Sequence, residues 1–296
     1  MLFSPIVLFC YNRLFHLQQT VACLQANPEA SESELWIFAD GAKGAHDAAA
    51  VAEVRQWLTT IRGFKAVHII AQPINQGLAQ AIIQGVTQVI STYGRAIVLE
   101  DDILTSPDFL GFMNQALEVY QPRADIYSLT GWSPPLRFPA SYPHRVYLTH
   151  RPMSWGWATW ADRWAKIDWE VQDFAKFLQS KSLQNQFARL GEDVVPMLKK
   201  QQLGRINSWA IRWTYHVFKQ GGYCLYPLVP KVHNIGTDGS GTNMSRLNKF
   251  AYQHHLASSD YDLPPDLQPD TTIEKLYAQY FKLSYIRRWI NYFTLP

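Results

Sequence analysis

The sequence predicts an α/β fold in which a mostly parallel sheet is flanked by helices. Short apolar runs of strand length alternate with longer segments in which apolar residues recur every three or four positions, the spacing of a helix face. This alternation favours parallel strands joined by right-handed crossovers. The strand-like runs are 5–10, 35–39, 67–70 and 96–99, and the helix-like segments between them are 14–24, 48–61 and 78–90.

The second half of the chain is less regular. Helical spacing is predicted over 106–120, where Ser106 is an N-cap and a proline follows in the first turn. A second helix is predicted from 207 to the glycines at 221 and 222, and a strand over 223–227 follows it. Trp157, Trp160 and Trp164 are spaced for one face of a helix, so we expect them to be packed in the core.

Composition indicates a globular protein with a large core. The 296 residues are 47% hydrophobic and 17% charged, and Lys plus Arg exceeds Asp plus Glu by only 27 to 24. A net charge of +3 is too small to favour nucleic acid as a partner. The three cysteines leave an odd count and have no metal-binding spacing, which favours a reducing compartment. No signal-peptide pattern and no apolar stretch of roughly 20 residues is found, so we expect a cytoplasmic location.

Three consecutive carboxylates, Glu100 to Asp102, follow directly after the apolar run 96–99. The carboxyl ends of parallel strands form the edge at which α/β proteins bind ligands. Adjacent carboxylates repel one another unless a cation joins them, and hard divalent cations take oxygen ligands from carboxylates and substrate phosphates. The pattern therefore predicts a metal-diphosphate site, with a solvated acidic turn as the alternative.

Polar pairs also follow the first two predicted strands, at the same edge of the sheet. Asn12 and Arg13 follow the first strand, and the turn pair Asp40-Gly41 follows the second. A strand-end cap and a β-turn are the simpler explanations for these pairs. The segment 75–77 precedes a helix whose free N–H groups could bind phosphate. The chain has neither the G-x-G-x-x-G pattern nor a P-loop, which disfavours a dinucleotide dehydrogenase and a P-loop NTPase.

Taken together, the segments 9–13, 40–41, 75–78 and 99–102 resemble the nucleotide-sugar glycosyltransferases of the GT-A fold. The resemblance includes N-acetylglucosaminyltransferase I-like and family-2-like bacterial sugar transferases, and it covers about the first hundred residues. It implies a Rossmann-like single large domain with an acceptor subdomain. It also implies a metal-dependent transfer of a sugar from a nucleotide diphosphate to a saccharide or lipid-linked saccharide, in surface polysaccharide synthesis.

The same resemblance implies roles for individual residues. Asp40 would accept the uracil N3–H of a UDP-sugar, the favoured donor, and Asp102 would bind Mn²⁺ or Mg²⁺. His233 is a second candidate metal ligand, with a surface hydrogen-bonding group as the alternative. The residues expected around the nucleotide sugar are Asn12, Arg13, Asp40, Gly41, Asn75, Gly77, Leu78, Glu100 and Asp101.

In the second half, the resemblance implies that Trp155 and Gly156 line the donor-sugar and acceptor pocket, and a glycine there lets the backbone approach a ligand. Ala210 stands where family-2-like enzymes carry a general base, and alanine cannot take a proton. The resemblance therefore implies an inverting mechanism without identifying its base.

Three other carboxylates, Asp162, Asp193 and Asp238, are available as the base. We favour Asp238, because it lies in the glycine-rich segment 236–242. That segment is predicted to be a lid over the donor, with an ordinary linker as the alternative.

The predicted organisation has three parts. Residues 1–130 would bind the nucleotide sugar, residues 131–250 would bind the acceptor and carry the lid, and residues 251–296 would form a tail. Within the tail, 272–293 has apolar residues at helical spacing among four basic residues. This predicts either a basic amphipathic helix at the inner face of a membrane or a helix docked on the body.

Two other functions stay open from the sequence. A nucleotidyltransferase has a similar sheet and metal site, but it would need a basic glycine-rich loop after the first strand, which 11–14 lacks. A non-catalytic carbohydrate-binding protein would account for the tryptophans and for the alanine at the base position. It would leave the three carboxylates and the Asp40-Gly41 turn unexplained.

Overall fold

The computed structural model of the protein describes residues 3–236 and 256–295, without the side chain of Tyr292. In this part of the chain, eight strands form one sheet in the order β3-β2-β1-β4-β8-β6-β9-β7, and β5 pairs separately with β10. The strands are β1 (Ile6–Cys10), β2 (Glu34–Ala39), β3 (Ala66–Ala71), β4 (Arg95–Glu100), β5 (Ile103–Thr105), β6 (Ile126–Thr130), β7 (Val146–Thr149), β8 (Trp157–Trp160), β9 (Tyr223–Pro227) and β10 (Val232–Asn234).

Helices lie between and after the strands. Two short 3-10 turns, Pro28–Glu32 and Ala188–Leu190, accompany them. The α-helices are α1 (Leu14–Gln25), α2 (Ala45–Leu58), α3 (Leu78–Tyr93), α4 (Phe109–Val119), α5 (Ala161–Trp164), α6 (Phe174–Gln179), α7 (Lys181–Phe187), α8 (Val194–Gln202), α9 (Trp209–Lys219), α10 (Thr271–Tyr280) and α11 (Tyr285–Thr294).

The predicted α/β fold is confirmed. β1, β2, β3 and β4 are all parallel, as are β6 and β9, whereas β8 runs antiparallel to both β4 and β6. In register, Phe9 of β1 lies between Phe38 of β2 and Glu100 of β4. The carboxyl ends of these three strands therefore meet at one edge, which brings the predicted polar clusters together.

The core explains why these segments form strands. β1 is buried along its whole length, and β4 is buried up to Leu99, as expected for strands covered by helices on both faces. One contiguous hydrophobic core extends from β1 to β9, and the sheet continues across the predicted boundary at residue 130. The functional division of the chain at that boundary stays a prediction.

The prediction that Trp157, Trp160 and Trp164 lie on one face of a helix is wrong, because Trp157–Trp160 forms strand β8. All four of its residues are buried, so the strand shows no alternation of apolar and polar side chains. The expectation that these tryptophans lie in the core is confirmed. The ring of Trp157 stacks on those of Trp164 and Trp209, with centroids 5.5 and 5.0 Å away.

The tail forms two helices with different surroundings. α10 docks on the body and buries Ile273 and Tyr277, and Phe281 just after it is buried as well. Ser284 then starts α11 by accepting a hydrogen bond from the N–H of Arg287 at 3.3 Å. None of the described helices is long and apolar enough to cross a bilayer.

Candidate active site

The carboxylates after β4 form a cluster with one arginine. Arg13, at the start of α1, donates hydrogen bonds to Asp101 and, at 2.8 Å, to Oδ2 of Asp102. The backbone N–H of Tyr11 donates a longer bond, 3.4 Å, to Asp101. The structure therefore brings Arg13 next to Asp101 and Asp102. Asn12 itself lies half-buried at the turn between β1 and α1.

Burial and mutual repulsion make this cluster electrostatically unfavourable. Burial and the neighbouring charges of Asp102 and Asp101 raise the pKa of Glu100 to about 8, against the opposing effect of Arg13. Burial likewise raises the pKa of Asp101 to about 6, although Arg13 opposes the shift. One guanidinium therefore does not offset three carboxylates. An added cation would stabilise their ionised forms.

Asp102 has an oxygen that is available to a cation. Its Oδ1 is buried, and no hydrogen-bond partner for it lies among the described residues. A buried carboxylate oxygen without a partner is costly, and it is the kind of ligand that Mg²⁺ and Mn²⁺ take. The described residues contain no group of three His, Cys, Asp or Glu side chains that could hold a metal ion. The cation would thus need oxygen ligands from a bound diphosphate, as Mg²⁺ sites commonly do.

Strand β10 covers the cluster from the other side. It pairs with β5 so that His233 lies opposite Leu104, and the N–H of Ile235 donates to the carbonyl of Asp102 at 2.9 Å. His233 is half-buried, and burial lowers its pKa, which favours the neutral imidazole that metals bind. Its role as a ligand stays a prediction.

Gly236 is a neighbour of Asp102 that sequence reasoning missed. A Cβ atom at Gly236 would overlap Oδ2 of Asp102 and lie 3.1 Å from Nη1 of Arg13. Gly236 thus lets the backbone pass directly over the ion pair. The sequence signal was the glycine-rich segment 236–242, which was assigned to a lid. Its candidate base, Asp238, lies outside the described residues.

Both oxygens of the Asp40 carboxylate accept hydrogen bonds from other groups of the protein. Its Oδ1 accepts from the N–H groups of Gly41 and Gln76, at 2.8 and 2.7 Å. Its Oδ2 accepts from the side chain of Asn75 and the N–H of Gly77, both at 3.0 Å. Asp40 therefore ties the loop 75–77 to the end of β2. Its predicted contact with uracil would need one of these bonds to be replaced.

Side chains that were not predicted as site residues stabilise the end of β2 and the start of α2. Arg55 of α2 donates to the carbonyls of Asp40, at 3.2 Å, and of Gln72. The hydroxyl of Tyr11 donates to Asp47, which also caps α2 by accepting from the N–H of Gly44 at 3.1 Å. Asp47 at the third helical position was the available sequence signal. Arg55 gave none, because its partners are distant backbone atoms.

Helix α3 begins at this edge, as predicted. Gly77 precedes it with φ +74°, a left-handed conformation suited to glycine. The N–H of Ala81 makes the first helical hydrogen bond, to the carbonyl of Gly77 at 3.0 Å. The N–H groups from Leu78 to residue 80 are therefore left without a partner inside the helix and are suited to an anion. A diphosphate contact at Leu78 stays a prediction.

Trp155 and Gly156 lie closer to the core than the sequence suggests. Trp155 is buried, with its ring edge-on to that of Trp132 at 5.4 Å. Gly156 has φ +53°, and an added Cβ would lie 2.7 Å from Val232 and 3.2 Å from Phe109. The missing side chain of Gly156 therefore makes room for the protein's own core. Pocket-lining roles for both residues stay predictions.

Ala210 lines a small recess beside the tryptophans. The recess is narrow, its lining includes Met153, Ser154, Trp157 and Trp213, and both tryptophans are buried.

The other carboxylates considered as the base are engaged by arginines. Asp162 accepts from Arg163 at 2.7 Å, and Asp193 accepts two bonds from Arg151 at 2.7 and 2.8 Å. Asp238 is thus the one candidate whose surroundings lie outside the described part of the chain.

Comparisons with known proteins add two similar structures. The chain matches the crystal structure of S. aureus TarS with 10% identity and a TM-score of 0.33, over 48% of this chain and 24% of TarS. It matches the mannosyltransferase PcManGT from Pyrobaculum calidifontis, in complex with GDP-Man and Mn²⁺, with 12% identity and a TM-score of 0.42. That match covers 74% of this chain and 70% of PcManGT.

The chain therefore spans about a quarter of the length of TarS. Neither a scan against models of protein families nor a search of curated proteins found a match. Similarity at this level leaves the function to be inferred from the residues of the site.

Proposed function

We propose that the protein is a metal-dependent glycosyltransferase of the GT-A type. It transfers a sugar from a nucleotide-diphosphate sugar, with UDP favoured as the nucleotide, to a saccharide or lipid-linked saccharide. The observation that carries the proposal is the carboxylate cluster of the half-buried Glu100 and the buried Asp101 and Asp102 at the end of β4, in which Asp102 leaves one oxygen without a partner among the described residues. The motifs of the GT-A family support the same function.

The site supplies what a diphosphate leaving group requires. A cation held by Asp102 and the diphosphate would offset the negative charge that develops as the leaving group departs. The free N–H groups at the start of α3 provide hydrogen-bond donors for the phosphate oxygens. Arg13 lies at the same edge and adds a fixed positive charge. Asp238 is proposed as the base for the acceptor hydroxyl.

The recess at Ala210 is the proposed acceptor subsite. Met153 and Ser154, which are half-buried at its edge, offer an apolar contact and a hydroxyl group. Sugars bind through apolar contacts combined with a few polar groups. An acceptor in surface polysaccharide synthesis fits this chemistry.

A thermal-shift screen of UDP, GDP and their sugar conjugates, with and without Mn²⁺, tests the proposal. A ligand that binds only the folded protein raises its melting temperature by mass action. We expect a shift with one nucleotide that depends on Mn²⁺ and is lost in Asp102→Ala. The matched control is Asp125→Ala, which removes another arginine-paired carboxylate, that of Asp125 with Arg123, outside the cluster.

The proposal fails if Asp102→Ala binds nucleotide with the same metal response as the wild type. A release of diphosphate from a nucleoside triphosphate, with formation of a nucleotide sugar, would instead identify a nucleotidyltransferase. Binding of free saccharide without any nucleotide binding would identify a carbohydrate-binding protein.

A further inference from the structure

Helix α11 presents an apolar face to solvent. At 100° per residue, Tyr285, Ile286, Trp289, Ile290 and Phe293 fall on one side of the helix. All five side chains are exposed, Trp289 by 67% and Phe293 by 65%. Contiguous exposed apolar surface of this kind marks an interaction site in a soluble protein.

Polar contacts fix α11 to the body on its other face. Glu192 accepts two hydrogen bonds from Arg288, at 2.9 and 2.8 Å, and a third from the N–H of Leu283 at 2.9 Å. Arg205 donates to the carbonyl of Thr294 at 2.7 Å and so caps the far end. With Ser284 capping its start, α11 is formed and oriented before any partner arrives.

The surface beside α11 is positively charged. Burial lowers the pKa of Lys200, and the charges of Arg287 and Arg205 lower it further, so both arginines lie within electrostatic reach of Lys200. Lys282, at the exposed turn before α11, adds a fourth cation. The apolar face of α11 and the cations beside it are together complementary to a partner that has an apolar interior and anionic groups at its surface.

We propose that α11 and its basic border bind the surface of an anionic lipid bilayer. The apolar face would enter the boundary between headgroups and acyl chains, and the cations would contact the anionic headgroups. With ten residues the helix is about 15 Å long, too short to span the bilayer. The helix therefore lies in the plane of the interface. This binding does not depend on the proposed sugar transfer.

Co-sedimentation of the full chain with vesicles tests this proposal without any nucleotide sugar. We expect binding to phosphatidylcholine vesicles that contain phosphatidylserine, weaker binding to phosphatidylcholine alone, and further weakening by salt. The double variant Trp289→Ser, Phe293→Ser should bind at least about tenfold more weakly. The control Phe15→Ser removes an equally exposed phenylalanine, 70% exposed on α1, and should bind as the wild type does.

The charged border is tested separately by Lys200→Gln with Arg287→Gln. Binding to the anionic vesicles should fall about fivefold for each charge removed, with little change on phosphatidylcholine alone. Absence of binding to either vesicle would overturn the proposal. So would a dimer in solution that becomes a monomer when Trp289 is replaced, because a second copy would then cover the face. Unfolding curves should show that all variants fold.

Discussion

Asp40 follows β2 and Asp102 follows β4, at the same edge of the sheet. The two aspartates are buried to a similar extent, but they differ in how many hydrogen bonds they accept. Asp40 is 8% exposed and Asp102 is 7% exposed. Asp40 accepts four hydrogen bonds, all from its own turn and from the loop 75–77. Asp102 accepts one from Arg13 through Oδ2, and its Oδ1 has no partner among the described residues.

The difference shows that a carboxylate at a strand end is not by itself a binding group. A carboxylate whose lone pairs are all filled by backbone and amide donors stabilises the loop that supplies them. A buried carboxylate with an unfilled oxygen destabilises the protein until something else binds it. Asp40 is therefore expected to act first on stability, and Asp102 on cation binding.

The largest effect should come from Asp40→Asn. The new amide group would face two hydrogen-bond donors and leave them unpaired, so we expect a loss of about 3 kcal/mol in the free energy of unfolding. Asp102→Asn should change the free energy of unfolding by less than about 1 kcal/mol, because removing a charge from the cluster offsets the weaker bond to Arg13. Urea unfolding in EDTA measures both. Equal losses in the two variants would remove the distinction drawn between these aspartates.

Two glycines extend the comparison with a smaller expected effect. A Cβ at Gly41 would overlap the backbone of Ile74 and lie 2.7 Å from the nitrogen of Asn75, so the loop must move away from Asp40. We expect Gly41→Ala to destabilise the protein by about 2 kcal/mol. A Cβ at Gly236 instead meets the ends of two side chains, Asp102 and Arg13, which can shift.

Gly236→Ala should therefore unfold nearly as the wild type does but respond less to Mn²⁺. Thermal unfolding with and without Mn²⁺ separates the two glycine variants. A large loss of stability in Gly236→Ala, with the Mn²⁺ response unchanged, would contradict the placement of this residue over the ion pair.

The sequence predicts the first half of the molecule well, for physical reasons. The strands β1, β2 and β4 are apolar runs that end in polar residues, and both signals are local. The bonding of Asp40 to the loop 75–77 links residues 35 or more positions apart, so no local pattern encodes it. Strand β8 was not predicted as a strand, because both of its faces are buried and its residues do not alternate between apolar and polar. The tail was predicted as one helix because apolar spacing continues across the break at 281–284.

The smallest expected effect is a pH dependence that arises from Glu100 and Asp101, the neighbours of Asp102 in the cluster. The pKa of Glu100 is raised from its ordinary value of 4.5 to about 8, and that of Asp101 from 3.8 to about 6. Between the ordinary and raised values, the folded protein holds protons that the unfolded chain has released. Its free energy of unfolding must therefore fall as the pH rises through this window.

Urea unfolding in EDTA at several pH values measures this slope. Glu100→Gln should reduce the fall in the free energy of unfolding between about pH 6 and 8 by an amount on the order of 1 kcal/mol. The control Glu118→Gln removes an exposed glutamate paired with Arg95 and should keep the wild-type slope. Stabilisation by Mn²⁺ should grow over the same window, because the cation competes with protons for the carboxylates. If the free energy of unfolding of the wild type stays constant or rises between pH 6 and 8, the pKa values of the cluster are not raised as inferred.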